Sequence, residues 1–111
     1  MKLESRFWIS KDGEKVIGKG PIMLLKEVER LGSLNKAAKS MNMSYSKAWT
    51  IINRAEKLLG KPLLEKEIGG KEGGGSTLTQ EAKVYIEAFE VFIKEAEENA
   101  QELYNKLFND L

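Results

Sequence analysis

A chain of 111 residues, 41% of them hydrophobic, has the length and composition of one compact domain. Because it contains neither cysteine nor histidine, disulfides and thiolate metal sites are excluded, and the commonest metal ligand and general base are missing. We therefore expect no cofactor, no metal and no enzymatic activity.

The charges are distributed unevenly along the chain. Residues 33–77 hold eight lysines and arginines against four acidic residues, whereas residues 78–111 hold three against eight. This asymmetry indicates a basic surface for a polyanion and an acidic surface turned away from it, although ordinary solvated surfaces give the same counts. Since neither a signal peptide nor a membrane-spanning segment is recognisable, we expect a cytoplasmic protein without membrane contact.

The first elements along the chain are a predicted hairpin and a helix. The segments RFWIS and KVIG read as strands around Asp12-Gly13, a pair that supplies the positive φ of a tight turn. Apolar residues then recur at helical spacing from Pro21, which suits a first helical turn, to Gly32, which ends the helix.

Two further helices follow in close succession. Ser33 caps the second, which Asn42 breaks, and Ser44 caps the third, which runs to residue 59. The paired Ala37 and Ala38 allow the two helices to approach closely, which predicts a helix-turn-helix rather than a plain three-helix bundle. The predicted core positions of these helices are Leu34, Ala37, Ala38, Met41, Ala48, Ile51, Ile52, Ala55, Leu58 and Leu59.

The third helix carries the candidate DNA contacts. Outside its core stripe its side chains are neutral or cationic hydrogen-bonding groups, and Glu56 is its one acidic residue. Such groups near the N-terminus of a helix reach phosphates and base edges. The predicted contacts are Ser44, Tyr45, Ser46, Lys47, Thr50, Asn53 and Arg54. Trp49 is predicted as a core anchor, because duplex DNA offers no free bases for stacking.

A second hairpin is predicted over residues 63–78, where PLLEKEI and STL flank a glycine-rich loop from Gly69 to Gly75. The loop lacks the Lys-Ser/Thr pair of a Walker loop and the strand–loop–helix order of a dinucleotide site. We therefore interpret it as the tip of a wing that contacts the DNA backbone. The predicted contacts of the wing are Lys66, Lys71, Ser76 and Thr77.

A last helix opens at Thr79 and contains neither glycine nor proline. Its apolar positions alternate steps of three and four, which is typical of a coiled-coil seam. Because one helix cannot bury this stripe alone, the seam predicts a homodimer. Its members are Ile86, Phe89, Ile93, Ala96, Ala100, Leu103 and Leu107.

The stretch from about Gly20 to Ala88 resembles the N-terminal DNA-binding domain of the ModE family of molybdate-responsive regulators, and more distantly the LysR-type regulators. The resemblance lies in SYSKAW, in the wing sequence GGKEGGGS and in the LT that follows it. It implies a winged helix with an N-terminal hairpin, dimerised through long helices, whose third helix enters the major groove of palindromic operators. Full-length members continue into molybdate-binding domains, of which this sequence has no counterpart, so we expect no molybdate binding.

Together these patterns predict a mainly α, α+β fold. Residues 1–78 form a winged helix-turn-helix domain and residues 79–111 its dimerisation helix. The predicted function is that of a transcriptional regulator that binds a palindromic site in double-stranded DNA as a homodimer, with residues 44–59 in the major groove. The alternative is a protein-interaction adaptor that does not bind DNA. An enzyme is disfavoured, because Glu65 and Glu67, or Glu97 and Glu98, have spacings that suit solvated faces.

Overall fold

The computed structural model describes residues 1–66 and 75–111. It confirms the predicted order of a hairpin, three helices, a second hairpin and a long helix. None of the helices in the described ranges is long and apolar enough to cross a membrane. The elements are β1 (Ile9–Lys11), β2 (Glu14–Ile17), α1 (Lys19–Leu31), α2 (Leu34–Ser40), α3 (Tyr45–Leu59), β3 (Leu64–Lys66), β4 (Ser76–Leu78) and α4 (Gln80–Phe108).

The N-terminal hairpin turns at Asp12 and Gly13, which both have a positive φ, of 52° and 77°. Two such residues in succession make the tight turn whose twist matches that of paired antiparallel strands. Strand β1 is shorter than predicted and begins at Ile9. The preceding Phe7 packs edge-on against Phe92 of α4, with ring centroids 5.7 Å apart.

Polar caps begin three of the helices, as predicted. The side-chain oxygens of Ser33, Ser44 and Thr79 accept hydrogen bonds from backbone N–H groups at the starts of α2, α3 and α4, at 3.0–3.1 Å. Such caps satisfy donors that have no partner inside the helix. Helix α1 begins at Lys19, so Pro21 lies in its first turn, where the missing N–H costs no hydrogen bond.

The core is centred on α1, whose Leu24 and Val28 are fully buried, and it continues through α2, α3 and the start of α4. Along α4 the buried residues are Ala82, Ile86 and Phe89, all in its first ten residues. The rest of this 29-residue helix, which is about 43 Å long, contributes no buried residue. The molecule is accordingly elongated, with extents of 62 × 27 × 22 Å.

The second hairpin, β3–β4, is tied to the body at its base. Thr79 Oγ1 donates to the carbonyl oxygen of Pro62 at 2.8 Å, and Thr79 N donates to that of Leu63 at 3.0 Å. Ser76 N donates to the carbonyl oxygen of Gly32, beyond the end of α1, at 2.8 Å. These bonds fix the hairpin relative to α1 and α4, and so relative to the three-helix core.

Candidate nucleic-acid interface

The α2–turn–α3 unit is held together by small buried residues. Ala37, Ala38 and Ala48 are essentially inaccessible, so the two helices pack closely, as predicted for a helix-turn-helix. The turn between them contains Asn42 in the left-handed conformation, with φ of 55°, and Met43 N donates to the carbonyl oxygen of Ala38 at 3.0 Å. This packing sets the angle at which α3 projects from the body.

The predicted contacts on α3 are mostly accessible. Ser44, Tyr45, Ser46, Lys47, Thr50 and Arg54 are exposed, and Asn53 is half-buried. Two of the hydroxyls also act within the helix. Ser44 Oγ is the cap of α3, which accepts from Lys47 N, and Thr50 Oγ1 donates to the carbonyl oxygen of Ser46 at 2.9 Å. Both hydroxyls keep hydrogen-bonding capacity for a ligand.

Helical geometry divides the exposed side of α3 into three strips, because successive residues are rotated by about 100°. Ser46, Thr50 and Asn53 lie in the middle strip. Lys47 and Arg54 form a cationic flank on one side of it. Tyr45 and Trp49 form an aromatic flank on the other side, one helical turn apart.

The prediction that Trp49 is a core anchor is wrong, because its side chain is 48% exposed. The buried stripe of α3 consists of Ala48, Ile52 and Ala55. Trp49 follows Ala48 directly and is therefore rotated by about 100° away from that stripe. The aromatic flank was missed because a large aromatic residue in an amphipathic helix is usually counted as core.

The acidic residue of α3 is engaged in structure. Glu56 Oε2 accepts hydrogen bonds from Leu63 N at 2.7 Å and Leu64 N at 3.4 Å, and so joins α3 to the first strand of the wing. Its negative charge is thereby directed at backbone donors. Neither composition nor periodicity reveals this role, since the bond spans a connection whose path the sequence does not specify.

The cations of α3 have no acidic partner among residues 1–66 and 75–111. The ion pairs in those ranges join Lys26 to Glu90 and Arg30 to Glu27, both at 2.7 Å and both outside α3. Lys47 and Arg54 beside the middle strip, and Lys57 at its C-terminal end, therefore present positive charge that no acidic residue of those ranges neutralises. An arrangement of this kind attracts a polyanion, because its charge is not neutralised within the described fold.

The wing residues fall into two groups. Lys66 and Thr77 are exposed on paired strands, in a register that opposes Lys66 to Ser76 and Glu65 to Thr77. Ser76 is half-buried, and its backbone N–H donates a hydrogen bond to the carbonyl oxygen of Gly32. Lys71, the predicted contact at the wing tip, lies outside the described residues, as does most of the glycine-rich loop.

A charged cluster links α1 to the helix-turn-helix. The carboxylate of Glu27 accepts two bonds from Arg30, at 2.9 and 2.7 Å, and one from Ser40 Oγ at 2.8 Å. These donors favour the ionised form and lower the pKa of Glu27 to about 2, with the bond from Arg30 as the largest cause. Because Ser40 is the last residue of α2, the cluster braces α2 against α1.

The predicted dimerisation residues divide along α4. Ile86 and Phe89, 8% and 7% exposed, lie in the protomer's own core. Ile93, Ala96 and Ala100 are half-buried, and Leu103 and Leu107 are exposed. Residues 2–6 line a cleft together with Glu97 and Gln101 of α4, so the N-terminal segment lies beside this part of the helix. The accessible part of the seam is therefore its C-terminal half.

A second apolar stripe on α4 was not predicted. Val84, Ala88 and Val91 are exposed at spacings of four and three residues, and so lie on one face of the helix. This face is rotated away from the core-facing Ile86 and Phe89. The spacing of these residues is visible in the sequence, but the stronger heptad pattern of the same helix masks it.

Comparison with known proteins identifies relatives of this domain. Residues 22–83 match the family described as bacterial regulatory helix-turn-helix protein, lysR family. The transcriptional regulator ModE of Haemophilus influenzae is 40% identical over 70 residues, which are 63% of this chain and 28% of that protein. The molybdenum transport protein ModE of Azotobacter vinelandii is 45% identical over 58 residues, 52% of this chain and 22% of that protein. The chain thus spans less than a third of the length of these relatives.

A solved structure has a similar fold. ArgP from Mycobacterium tuberculosis superposes with a TM-score of 0.55 at 21% identity, over 76% of this chain and 30% of ArgP. The family match extends from α1 to the start of α4, and so includes the helix-turn-helix and both strands of the wing. The chain belongs to the lysR family of bacterial regulatory helix-turn-helix proteins, and its helix-turn-helix domain is similar to those of the ModE proteins.

Proposed function

We propose that this protein is a transcriptional regulator that binds a palindromic site in double-stranded DNA as a homodimer. The observation that carries the proposal is the exposed side of α3. It presents hydrogen-bonding groups beside cations that lack an acidic partner in the described ranges, while Glu56 is engaged by the wing. The match to a family of bacterial regulatory helix-turn-helix proteins and the similarity to the transcriptional regulator ModE of Haemophilus influenzae support the same function.

In this function α3 lies in the major groove. Ser46, Thr50 and Asn53 of its middle strip approach base edges, where each base pair presents a distinct pattern of donors and acceptors. Lys47 and Arg54 reach a base or a flanking phosphate. The wing follows the adjacent backbone through Lys66 and Thr77.

We also propose that the C-terminal half of α4 pairs with a second copy of the chain. Leu103 and Leu107 are 57% and 63% exposed and continue the stripe of Ala96 and Ala100. Removing such side chains from water stabilises an association by roughly 1.5–3 kcal/mol for each one fully buried. A two-fold pair then places two copies of α3 about 34 Å apart, or a longer in-phase distance, which matches inverted repeats.

The experiment that tests this function is capture of genomic fragments by the purified 111-residue chain, followed by sequencing and by salt titration of the enriched duplex. We expect an enriched inverted repeat, and an affinity that falls steeply as salt rises, because phosphate contacts release counterions. If no fragment is enriched and no duplex binds at low salt, the function is refuted and the adaptor alternative takes its place.

A further inference from the structure

Two large aromatic side chains are exposed side by side on α3. Trp49 is 48% exposed and Tyr45 is 47% exposed, and their separation of four residues makes them neighbours on the helix surface. Isolated exposed apolar residues are ordinary on protein surfaces. An adjacent pair of aromatic rings on a helix that otherwise presents hydrogen-bonding groups is a continuous apolar surface with a defined place in the fold.

The aromatic flank begins at the N-terminus of α3. Tyr45 is the first residue of the helix and Trp49 the fifth, so both lie within its first two turns. In helices that enter the major groove, the N-terminal residues contact base edges. The flank also borders the middle strip, so a base pair within reach of Ser46 or Thr50 has its neighbour within reach of an aromatic ring.

Charge on and around α3 favours DNA as the occupant of this surface. Lys47 and Arg54 line the opposite flank, without an ion pair to any residue of 1–66 or 75–111. Glu56 lies two turns beyond Trp49 on the same side of the helix, but its carboxylate is held by Leu63 N at 2.7 Å. The aromatic flank is therefore embedded in a surface whose remaining charge suits a polyanion.

The chemistry of the groove limits what these rings can contact. The phenolic O–H and the indole N–H can each donate one hydrogen bond to a phosphate or a base edge, but the rings that make up most of this surface need an apolar partner. The faces of stacked bases are hidden inside the duplex. The apolar group that the major groove does expose is the 5-methyl group of thymine. We propose that Tyr45 and Trp49 select sites by packing against thymine methyl groups, an inference that rests on the DNA-binding function proposed above. Specificity then comes partly from apolar contact, alongside the hydrogen bonds of the middle strip.

Deoxyuridine substitution tests this directly, since it removes the methyl group and leaves the hydrogen-bonding edges of the base unchanged. Each thymine of the duplex enriched by the wild-type chain is replaced in turn, and the affinity is measured. We expect at least one position per half-site where affinity falls about fourfold, the ratio equivalent to about 0.8 kcal/mol per buried methyl group at 1.4 kcal/mol per tenfold.

Variants assign that effect to the aromatic flank. In Trp49→Ala the ratio of thymine to deoxyuridine affinity at that position should fall to about one. Trp49→Phe, which keeps an aromatic ring, should retain part of it. The matched control is Trp8→Ala, which removes another exposed tryptophan that precedes β1, and it should leave the ratio unchanged. Circular dichroism of each variant verifies that it is folded.

The outcomes separate this proposal from the function on which it rests. A wild-type chain that binds its selected duplex but tolerates deoxyuridine at every thymine overturns the aromatic contact and leaves DNA binding intact. The same conclusion follows if folded Trp49→Ala shows the full wild-type ratio, or if Trp8→Ala alone abolishes it. Failure of the wild-type chain to bind any duplex overturns both proposals, and a protein partner then becomes the occupant to seek.

Discussion

The carboxylate of Glu56 accepts a hydrogen bond from Leu63 N at 2.7 Å, so the acidic side chain of α3 joins this helix to the base of the wing. The bond bridges the turn at Gly60, where α3 ends with φ of 72°. Through it, the side of α3 and the base of the wing are held in one arrangement before any ligand binds. A preorganised surface of this kind loses less entropy when it meets DNA.

Replacing Glu56 by alanine leaves Leu63 N without its acceptor. We expect the free energy of unfolding to fall by about 1–3 kcal/mol, the usual penalty for a partly buried donor that loses its partner. Urea denaturation measures the loss. The control is Glu29→Ala, an exposed acidic residue of α1, which should change stability by less than about 0.5 kcal/mol. Equal losses in the two variants would show that the bond to Leu63 does not stabilise the fold.

The low pKa of Glu27, about 2 against an ordinary 4.5, predicts a specific pH dependence. A carboxylate with a lowered folded-state pKa stabilises the fold fully above its unfolded pKa, and this contribution is lost as the pH falls through the folded pKa. Glu27→Gln should therefore be less stable than the wild type at pH 7. The difference should shrink between pH 4.5 and pH 2.

Thermal melts of both chains at a series of pH values measure this difference. All other carboxylates are common to the two proteins, so their titration cancels in the comparison. A stability difference that stays constant from pH 7 to pH 2 would mean that Glu27 contributes by packing alone, without ionising against Arg30 and Ser40.

The proposed dimer depends on the exposed half of α4. Leu103→Lys combined with Leu107→Lys should yield a folded monomer that no longer binds the palindrome tightly, because the apolar contact is replaced by like charges. Sedimentation velocity and circular dichroism measure assembly and folding. The matched control is Glu98→Lys, an exposed residue on another face of the same helix, which should remain dimeric. A wild-type chain that sediments as a monomer at micromolar concentration, yet binds the palindrome tightly, contradicts the proposed role.

We predict that molybdate does not bind these 111 residues. Two clefts that α4 forms within the described ranges offer no concentration of positive charge for a divalent oxyanion, because Glu87 and Glu90 outnumber Lys83 in one and two acidic side chains offset two basic ones in the other. Isothermal titration with sodium molybdate should give only the heat of dilution, as should sodium sulfate. Stoichiometric binding of molybdate would refute the prediction and locate an oxyanion site in the domain.

Short-range sequence signals explain why the helix caps and the first turn could be predicted. Ser33, Ser44 and Thr79 cap helices because their hydroxyls accept hydrogen bonds from backbone donors three residues further along the chain. Such a bond depends only on neighbouring residues. The left-handed turn at Asp12 and Gly13 is equally local. These elements follow from the chain itself and depend little on what packs around them.

The sequence-based predictions are wrong where tertiary contacts determine which residues are buried. Trp49 has the composition of a core residue, but the small Ala48 beside it occupies the buried stripe and leaves the indole outside. Ile86 and Phe89 have the spacing of a dimer seam, but both are buried within the protomer's own core. Periodicity identifies an apolar stripe without indicating which surface will bury it. Likewise, nothing local predicts that Glu56 bonds the base of the wing.

The affinities of Lys47→Ala for the enriched palindrome and for random duplex test whether α3 reads DNA sequence. We expect the binding free energy of Lys47→Ala to weaken by about 1–3 kcal/mol for the palindrome and by less for random DNA, since Lys47 lies beside the middle strip. Lys66→Ala, on the wing, should weaken both duplexes alike. Fluorescence anisotropy at fixed salt measures all four affinities. The predicted result is that Lys47→Ala loses more affinity for the palindrome than for random duplex, whereas Lys66→Ala does not. If each variant loses equal affinity for both duplexes, α3 does not read the sequence.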